Sequence, residues 1–373
     1  MLQKALKGSR IYCRKKLLFS IGGNHTVTVT APEYYLDFSC KCGECRHVCC
    51  RDWGIAVSER EYFRLIGLEC TKPLRRRIDC AFCRADSPDS ERYALMAPDF
   101  LGNCHLLRED GYCALQKECG EMTLPLICRQ YPRSVRVYGK STEICTSNSC
   151  EKTLELLYAD TKPVRMTTFD ADLTFDGIKI YGDEPEKDSI RRKTTDIMSD
   201  RALSFDERLR EVGKYICPGQ APASITDGET LEAACRFIQA FEERSAGIAE
   251  YGAHALEYLY AESCNASYER YVQAQEHLKS TIPSSDVFFE KVAVNHMIYE
   301  SFPFVPGSAS VEDAFVSFSF AMLLTKLICS CCFAEKKEAG ELIDVTAEAF
   351  RFFEHSGYYS MRLRKLRVAP IRQ

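Results

Sequence analysis

Between Cys40 and Cys50 the chain places five cysteines in eleven residues: Cys40, Cys42, Cys45 and the adjacent pair Cys49 and Cys50. Thiols packed this densely constrain a fold strongly, because such clusters usually hold metal, the alternative being small buried apolar residues. The density continues: 14 of the 21 cysteines fall between residues 40 and 150. An odd total cannot pair completely into disulfides. The basic start, with Lys4, Lys7, Arg10, Arg14, Lys15 and Lys16 and no acid before Glu33, carries only the short apolar run Leu17 to Ile21. A secretory signal needs roughly 7–15 apolar residues and a small-residue cleavage site. A cytoplasmic location is therefore expected, where thiols stay reduced and a cysteine cluster holds metal.

Charge and hydropathy narrow the partners. A formal charge of −4 and a pI near 6.1 lack the basic surplus of a protein that grips phosphates, so no nucleic-acid partner is expected. The stretch Ala314 to Ala334 reaches membrane-spanning length, but Lys326 near its middle and Ser317, Ser319, Thr325 and Ser330 mark it as a buried bundle helix. No membrane insertion is expected.

The chain reads as mainly α, with a loop-rich Cys-ligated metal-binding region followed by an all-α helical bundle. Residues 1–27 form a basic extension, 28–165 the Cys-rich region, 166–200 a connector and 201–373 the bundle. The Cys-rich region is punctuated by Gly, Pro and charge, with apolar runs as short as Gly54 to Val57 and Val135 to Tyr138. Ligation is expected to replace core burial there as the folding force. Residues 168 to 200 read as a short hairpin and a polar connector, rich in Asp and Glu. Beyond them Ser204 and Glu207 make a capping box before the stripe Leu209, Val212 and Ile216, and Pro218 stops that helix. Leu231, Ala234, Cys235, Ile238 and Phe241 form a second stripe. Further helices are expected over 268–278, 287–302, 311–334 and 342–355.

Thiolates bind zinc or iron better than any neutral side chain does. Cys40, Cys45, Cys49 and Cys50 could supply up to four ligands. Cys104 and Cys113, bracketing the turn Glu109-Asp110-Gly111, then Cys128 and Cys150, bring the thiols to eight, enough for two four-ligand sites. Adjacent Cys49 and Cys50 cannot easily both reach one tetrahedral zinc and suit two irons or two sites. Cys42, Cys45 and Cys49 reverse the Cys-x3-Cys-x2-Cys order of radical S-adenosylmethionine enzymes, so the spacing does not license a radical mechanism. Cys80-x2-Cys83 has the spacing of a metal half-site or of a surface loop, and Cys329, Cys331 and Cys332 lie on an apolar helix as core residues.

The sequence resembles the flagellin lysine N-methylases, which are related to a broader group of Cys-rich zinc- or iron-chelating proteins. The resemblance rests on Ala31-Pro32-Glu33-Tyr34-Tyr35 with Asp37-Phe38, on Cys40, Cys45, Cys49 and Cys50 with Trp53, on Cys104-His105-Leu106-Leu107 with Gly111 and Cys113, on Cys128 through Tyr131-Pro132-Arg133, and on Ser149-Cys150. It extends through Leu203 to Leu209, Val294-Asn295-His296, Phe302-Pro303-Phe304 and Glu354-His355. It implies methyl transfer from S-adenosylmethionine to surface lysines of flagellin, and an iron–sulfur cluster of the four-iron type. The ligand candidates it implies are Cys40, Cys45, Cys49, Cys50, Cys104, Cys113, Cys128 and Cys150, with zinc as the alternative metal. Cys42 is an additional thiol, and Cys70, Cys80 and Cys83 stand where a plainer segment is expected.

Methyl transfer to lysine is a displacement in which the amine must be neutral and in line with the departing sulfur. No Gly-rich turn after a strand marks a Rossmann-type donor pocket; Ile21-Gly22-Gly23-Asn24 opens no helix. Trp53, Tyr131 and Arg133, close in sequence to ligands, are candidates for binding S-adenosylmethionine or for packing and hydrogen bonding around the thiolates. No catalytic residue is identified. An iron–sulfur or zinc protein without methyl chemistry, redox or structural, is the alternative.

Overall fold

The computed structural model describes residues 26–51, 54–172, 178–182, 184–240, 246–336 and 340–360. The chain divides into two compact units, one built from Met1–Cys145 and Arg165–Asp183, the other from Thr146–Val164 and Glu184–Gln373.

The first unit has two sheets. Strands β1 (Thr26–Pro32), β5 (Arg133–Tyr138), β6 (Ser141–Thr146), β7 (Met166–Asp172) and β8 (Lys179–Tyr181) form one sheet in the order β7-β1-β6-β5-β8. Strands β2 (Ala56–Val57), β3 (Phe82–Arg84) and β4 (Ala94–Met96) form a smaller one in the order β2-β4-β3. In the larger sheet β1 runs parallel to β6, with Val29 opposite Thr142, and antiparallel to β7, with Val29 opposite Phe169. The expected hairpin after residue 168 does not form: β7 and β8 lie on opposite edges of the sheet, each paired with a strand distant in sequence. The polar connector is also partly regular, since its second half is helical.

Short helices α1 (Glu59–Ile66), α2 (Lys72–Cys80), α3 (Ala114–Cys119) and α4 (Leu126–Gln130) surround the smaller sheet. Ser58 and Glu61 make a capping box at α1, and Thr71 caps α2. Val57, Leu65, Leu74, Ile78, Met96, Leu106 and Leu115 form one apolar core, while Val29, Ala31, Tyr35, Val135 and Ile144 form another beneath the larger sheet. This region is therefore not merely loops awaiting metal. Alternating burial on very short strands is what composition alone concealed.

The second unit is helical: α5 (Glu151–Ala159), α6 (Pro185–Met198), α7 (Phe205–Ile216), α8 (Gly228–Gln239), α9 (Ala246–Tyr260), α10 (Tyr268–Thr281), α11 (Ser285–Glu300), α12 (Val311–Lys336) and α13 (Gly340–His355). The Ser204 capping box forms as expected, with Glu207 accepting from the Ser204 amide at 2.7 Å. Leu231, Ala234, Cys235 and Ile238 are buried along α8; Phe241 lies outside the described residues. By length and composition α12 would pass for a membrane span, but it packs against α7, α9, α10, α11 and α13. Its polar residues are accommodated locally. Thr325 and Ser330 hydroxyls donate to the carbonyls of Ala321 and Lys326, and the Lys326 ammonium lies 4.5 Å from the Phe205 ring centroid. Cys329, Cys331 and Cys332 are buried core residues.

One ion cluster pins this bundle. Glu290 on α11, 1% exposed, accepts from Arg201 Nε at 2.8 Å and from the buried Arg208 guanidinium at 3.0 Å. Removing the carboxylate leaves Arg208 buried and uncompensated, so Glu290→Ala is expected to cost about 3–5 kcal/mol in urea unfolding, and Glu290→Gln less.

Candidate functional site

The thiol site of the first unit is assembled by backbone contacts. Cys50 and Cys104 meet directly, the Cys104 amide donating to the Cys50 carbonyl at 2.7 Å. The neighbouring Arg51 and Asn103 form a bridge, reinforced by Arg51 Nε to Asn103 Oδ1 at 3.1 Å. From Cys104 the chain turns back on itself: the Arg108 amide donates to Tyr112 at 2.9 Å, the Ala114 amide to Leu106 at 2.7 Å, and Leu107 bridges Cys113. Gly111 closes this turn at φ 75°, which glycine adopts without steric cost. Asp110, beside it, accepts from Lys117 at 2.7 Å and from Arg108, and these cations hold its carboxyl well below the usual range.

Two glycines press the first cysteine run onto this turn. A Cβ on Gly43 would lie 2.5 Å from the Asp110 carbonyl oxygen, and one on Gly111 would lie 2.7 Å from the Gly43 Cα. Only two bare backbones can approach so closely. Cys42 and Cys45 flank one glycine; Cys104 and Cys113 flank the other.

Cys128 joins from α4, whose start is held by Glu61 of α1, the Leu126 amide donating to its carboxylate at 2.6 Å. Burial alone would raise the Glu61 pKa, but hydrogen bonds from Leu126 and Ser58 outweigh it and keep the group ionised. Arg64 of α1 donates to the carbonyls of Met122, Thr123 and Leu124, fixing the same approach.

Cys49, Cys50, Cys104, Cys113 and Cys128 thereby become electrostatic neighbours. Burial pushes the Cys128 thiol well up, and charge on Cys104, Cys113 and Cys49 pushes it further. The Cys49 hydrogen bond, then burial and the other thiols, raise Cys50. Burial brings Cys104 to about 11 and raises Cys113, and Cys49 adds to both shifts. Cys40 goes the other way: a hydrogen bond from Cys42 lowers it to about 6, with Arg133 contributing. The additional thiol Cys42 thus has a partner within its own run, its amide lying 3.3 Å from the Cys40 sulfur.

Among the described residues no group of three Cys, His, Asp or Glu side chains closes tightly enough to hold a metal ion. The donor set nevertheless fits a soft metal. Cys50, Cys104, Cys113 and Cys128, which burial and neighbouring thiols hold neutral, are the groups a bound cation would convert to thiolates, releasing protons as it binds. Cys45 is half-buried on the first run. Cys150 belongs to the second unit, at the start of α5. Cys80 and Cys83 are exposed.

Of the three residues considered for S-adenosylmethionine, Trp53 lies outside the described residues. Tyr131 ends α4, its amide donating to Ile127 at 3.0 Å. Arg133 opens β5 with its guanidinium 5.2 Å from the Phe38 ring centroid, and its Nε is buried with no hydrogen-bond partner among the described residues.

A second constellation, inside the second unit, was not foreseen. The segment Thr146–Ser149, irregular from Ser147 on, has no exposed surface, an unusual place for loop backbone. Side chains from α11 and the end of α13 satisfy it. Asn295 Nδ2 donates to the Thr146 carbonyl at 2.9 Å and to Asn148 Oδ1 at 2.8 Å, while Asn148 Nδ2 donates to Val292. Ser147 Oγ contacts both Glu354 Oε2 and Ser149 Oγ, and Ser149 Oγ lies 2.9 Å from His355 Nε2. His296 stands between Phe318 and Phe350, its Nδ1 2.9 Å from Glu354 Oε1 and its Nε2 2.7 Å from the Tyr359 hydroxyl. The available signal was the pairing of Asn295-His296 with Glu354-His355, polar residues on otherwise apolar helices.

No family model and no solved structure matches the chain. Curated proteins do. A "Lysine-N-methylase" of Salmonella choleraesuis is 27% identical over 134 residues, which is 36% of this chain and 33% of that protein. The "Lysine-N-methylase" of Salmonella typhimurium matches with the same identity and coverage. The "Flagellar biosynthetic protein FliU" of Salmonella muenchen is 25% identical over 134 residues, 79% of its length. The match spans about a third of the two methylases, 33% of each. The chain is a distant homologue of proteins named for lysine methylation and flagellar biosynthesis.

Proposed function

We propose that the chain is an S-adenosylmethionine-dependent protein-lysine N-methyltransferase acting on surface lysines of flagellin and carrying an iron–sulfur cluster. The observation that carries the reading is the convergence of Cys49, Cys50, Cys104, Cys113 and Cys128 in a protein whose relatives are named for lysine methylation. These five would hold the cluster, with Cys40 and Cys45 of the same unit as further candidates. A bound cluster supplies positive charge to buried thiolates and a capacity for one-electron exchange. Displacement at the methyl carbon calls for no electron from outside, so the reading gives the cluster first a role in holding the first unit together.

The reaction makes a demand on the protein's own groups. Free lysine has a pKa of about 10.4, leaving about one in a few thousand neutral at pH 7. The site must exclude water around the ammonium or take its proton, and must align nitrogen, methyl carbon and sulfur.

A metal protein without methyl chemistry is the competing reading, favoured by sheets that carry no Gly-rich strand-to-helix turn of the dinucleotide-binding kind among the described residues. Purification without oxygen, assay of iron, acid-labile sulfide and zinc, and incubation with flagellin and methyl-labelled S-adenosylmethionine separate the two. Iron, sulfide and labelled lysine are expected. Zinc alone removes the cluster, and a cluster without label on any of several flagellins removes the methylase.

Cys128→Ser is expected to lose most of the bound iron, whereas Cys80→Ser keeps it. Gly111→Ala, which drives a Cβ into the Gly43 backbone, is expected to lower iron content although it removes no thiol. Normal iron in both Cys128→Ser and Gly111→Ala would dissolve the site as drawn.

A further inference from the structure

Beside the turn that joins Cys104 to Cys113, the first unit has a surface cavity of about 160 Å³, lined in part by Pro73, Leu74 and Arg77 of α2, Arg108 of the turn, and Lys117 and Glu118 of α3. Pockets that enclose drug-sized molecules run to about 300–1,000 Å³. At about 30 Å³ for a water molecule, this one has room for about five waters. It suits a single small group and not a nucleotide or S-adenosylmethionine.

The charges around the cavity give the sign of that group. Three cations line it against one carboxylate, Glu118, and both oxygens of Glu118 are engaged by α2, accepting from the Thr71 amide and the Thr71 hydroxyl, each at 2.8 Å. Asp110 answers two of the cations, accepting from Lys117 at 2.7 Å and from Arg108 Nε at 3.1 Å. Arg77 makes no ion pair among the described residues. Its Nη1 donates to the carbonyls of His105 and Leu107 at 2.8 and 3.0 Å, and carbonyls carry no net charge. A positive surplus therefore remains. Donors remain as well: Arg77 Nε and Nη2 and Arg108 Nη1 have no hydrogen bond among the described residues. Planar guanidinium groups match the oxygens of a carboxylate or phosphate, and the Lys117 ammonium adds a donor without their directional demand.

We propose that this cavity binds one oxyanion group, a carboxylate or a phosphate, between Arg77, Arg108 and Lys117. The site is independent of the methyltransferase reading. The group arrives as a free ion or at the end of a partner's side chain, whose stem Pro73 and Leu74 give an apolar wall. A bound anion ties α2 and α3 to the turn between Cys104 and Cys113, where Arg77 already holds two carbonyls. Because it binds the folded form, it also raises the unfolding temperature of the first unit.

The full chain, purified without oxygen, is titrated in chloride buffer at fixed ionic strength with two probes: inorganic phosphate, and an acetylated glutamate amide whose one carboxylate is that of the side chain. Calorimetry is expected to show one saturable site with Kd below about 10 mM for at least one probe, and that probe is expected to raise the thermal midpoint. Saturation by phosphate alone identifies a free ion, and saturation by the glutamate amide identifies a side-chain carboxylate. Arg77→Gln and Lys117→Met, each checked for native circular dichroism, are expected to weaken binding about tenfold or more, the worth of a charge-assisted hydrogen bond. Lys117→Met leaves the Arg77 bonds to the turn in place, so it reads the site even if Arg77→Gln fails to fold. Arg76→Gln, an exposed neighbour on α2 outside the cavity lining, is expected to bind as the wild type does. No saturation by either probe at about 10 mM overturns the site. So does wild-type affinity in a folded Lys117→Met or Arg77→Gln, or an equal loss in Arg76→Gln.

Discussion

The first unit depends on a place where two stretches of main chain touch with nothing between them. Gly43 and Gly111 lie so close that a methyl group on either would enter the other's backbone or its immediate neighbour. That contact sets the first cysteine run against the turn between Cys104 and Cys113. The bridge from Arg51 to Asn103 and the amide of Cys104 on Cys50 extend it. Each of these is a backbone interaction, so the placement of the thiols does not depend on the thiols themselves. The pattern gives a reason for glycine inside a cysteine motif: the thiol side chains can converge only if their carriers can.

Around that contact the supporting bonds come from charged side chains acting on main-chain groups. Glu61 receives the first amide of α4, Arg64 gathers three carbonyls ahead of it, and Arg77 donates to the carbonyls of His105 and Leu107. Charge-assisted bonds of this type are stronger than neutral ones and specify direction. They fix the loops that carry Cys104 and Cys128.

How much of this could be read from the chain depends on the range of the interactions. Ser204, Glu207 and the stripe through Ile216 are local, and the helix follows from them. Lys326 looked anomalous within an apolar run and is explained by a ring one helix away. The helix Ala246–Tyr260 is hard to read from the chain because Tyr, Ala and Gly break up its apolar stripe. The sheet was illegible for a different reason: β1 pairs with strands more than a hundred residues away, and no periodicity encodes a partner. The thiol cluster was legible as a composition and a spacing, but not as a group of five neighbours. The Glu354 network was the least visible, since Ser147 and Glu354 are 207 residues apart in sequence.

The first described strand has both of its partners far downstream: Thr142 faces Val29, and Asp170 bonds to Thr28 across 142 residues. During synthesis at about 5–20 residues per second, β1 waits about 7–30 s for β7 to exist. For that interval the cysteine run between 40 and 50 is already made, whereas Cys104, Cys113 and Cys128 arrive one after another. The order of appearance makes the gathering of these thiols a late event on the ribosome. A nascent chain with its early thiols uncovered must stay reduced until the later ones emerge, so the supply of reductant bears on the yield of finished protein.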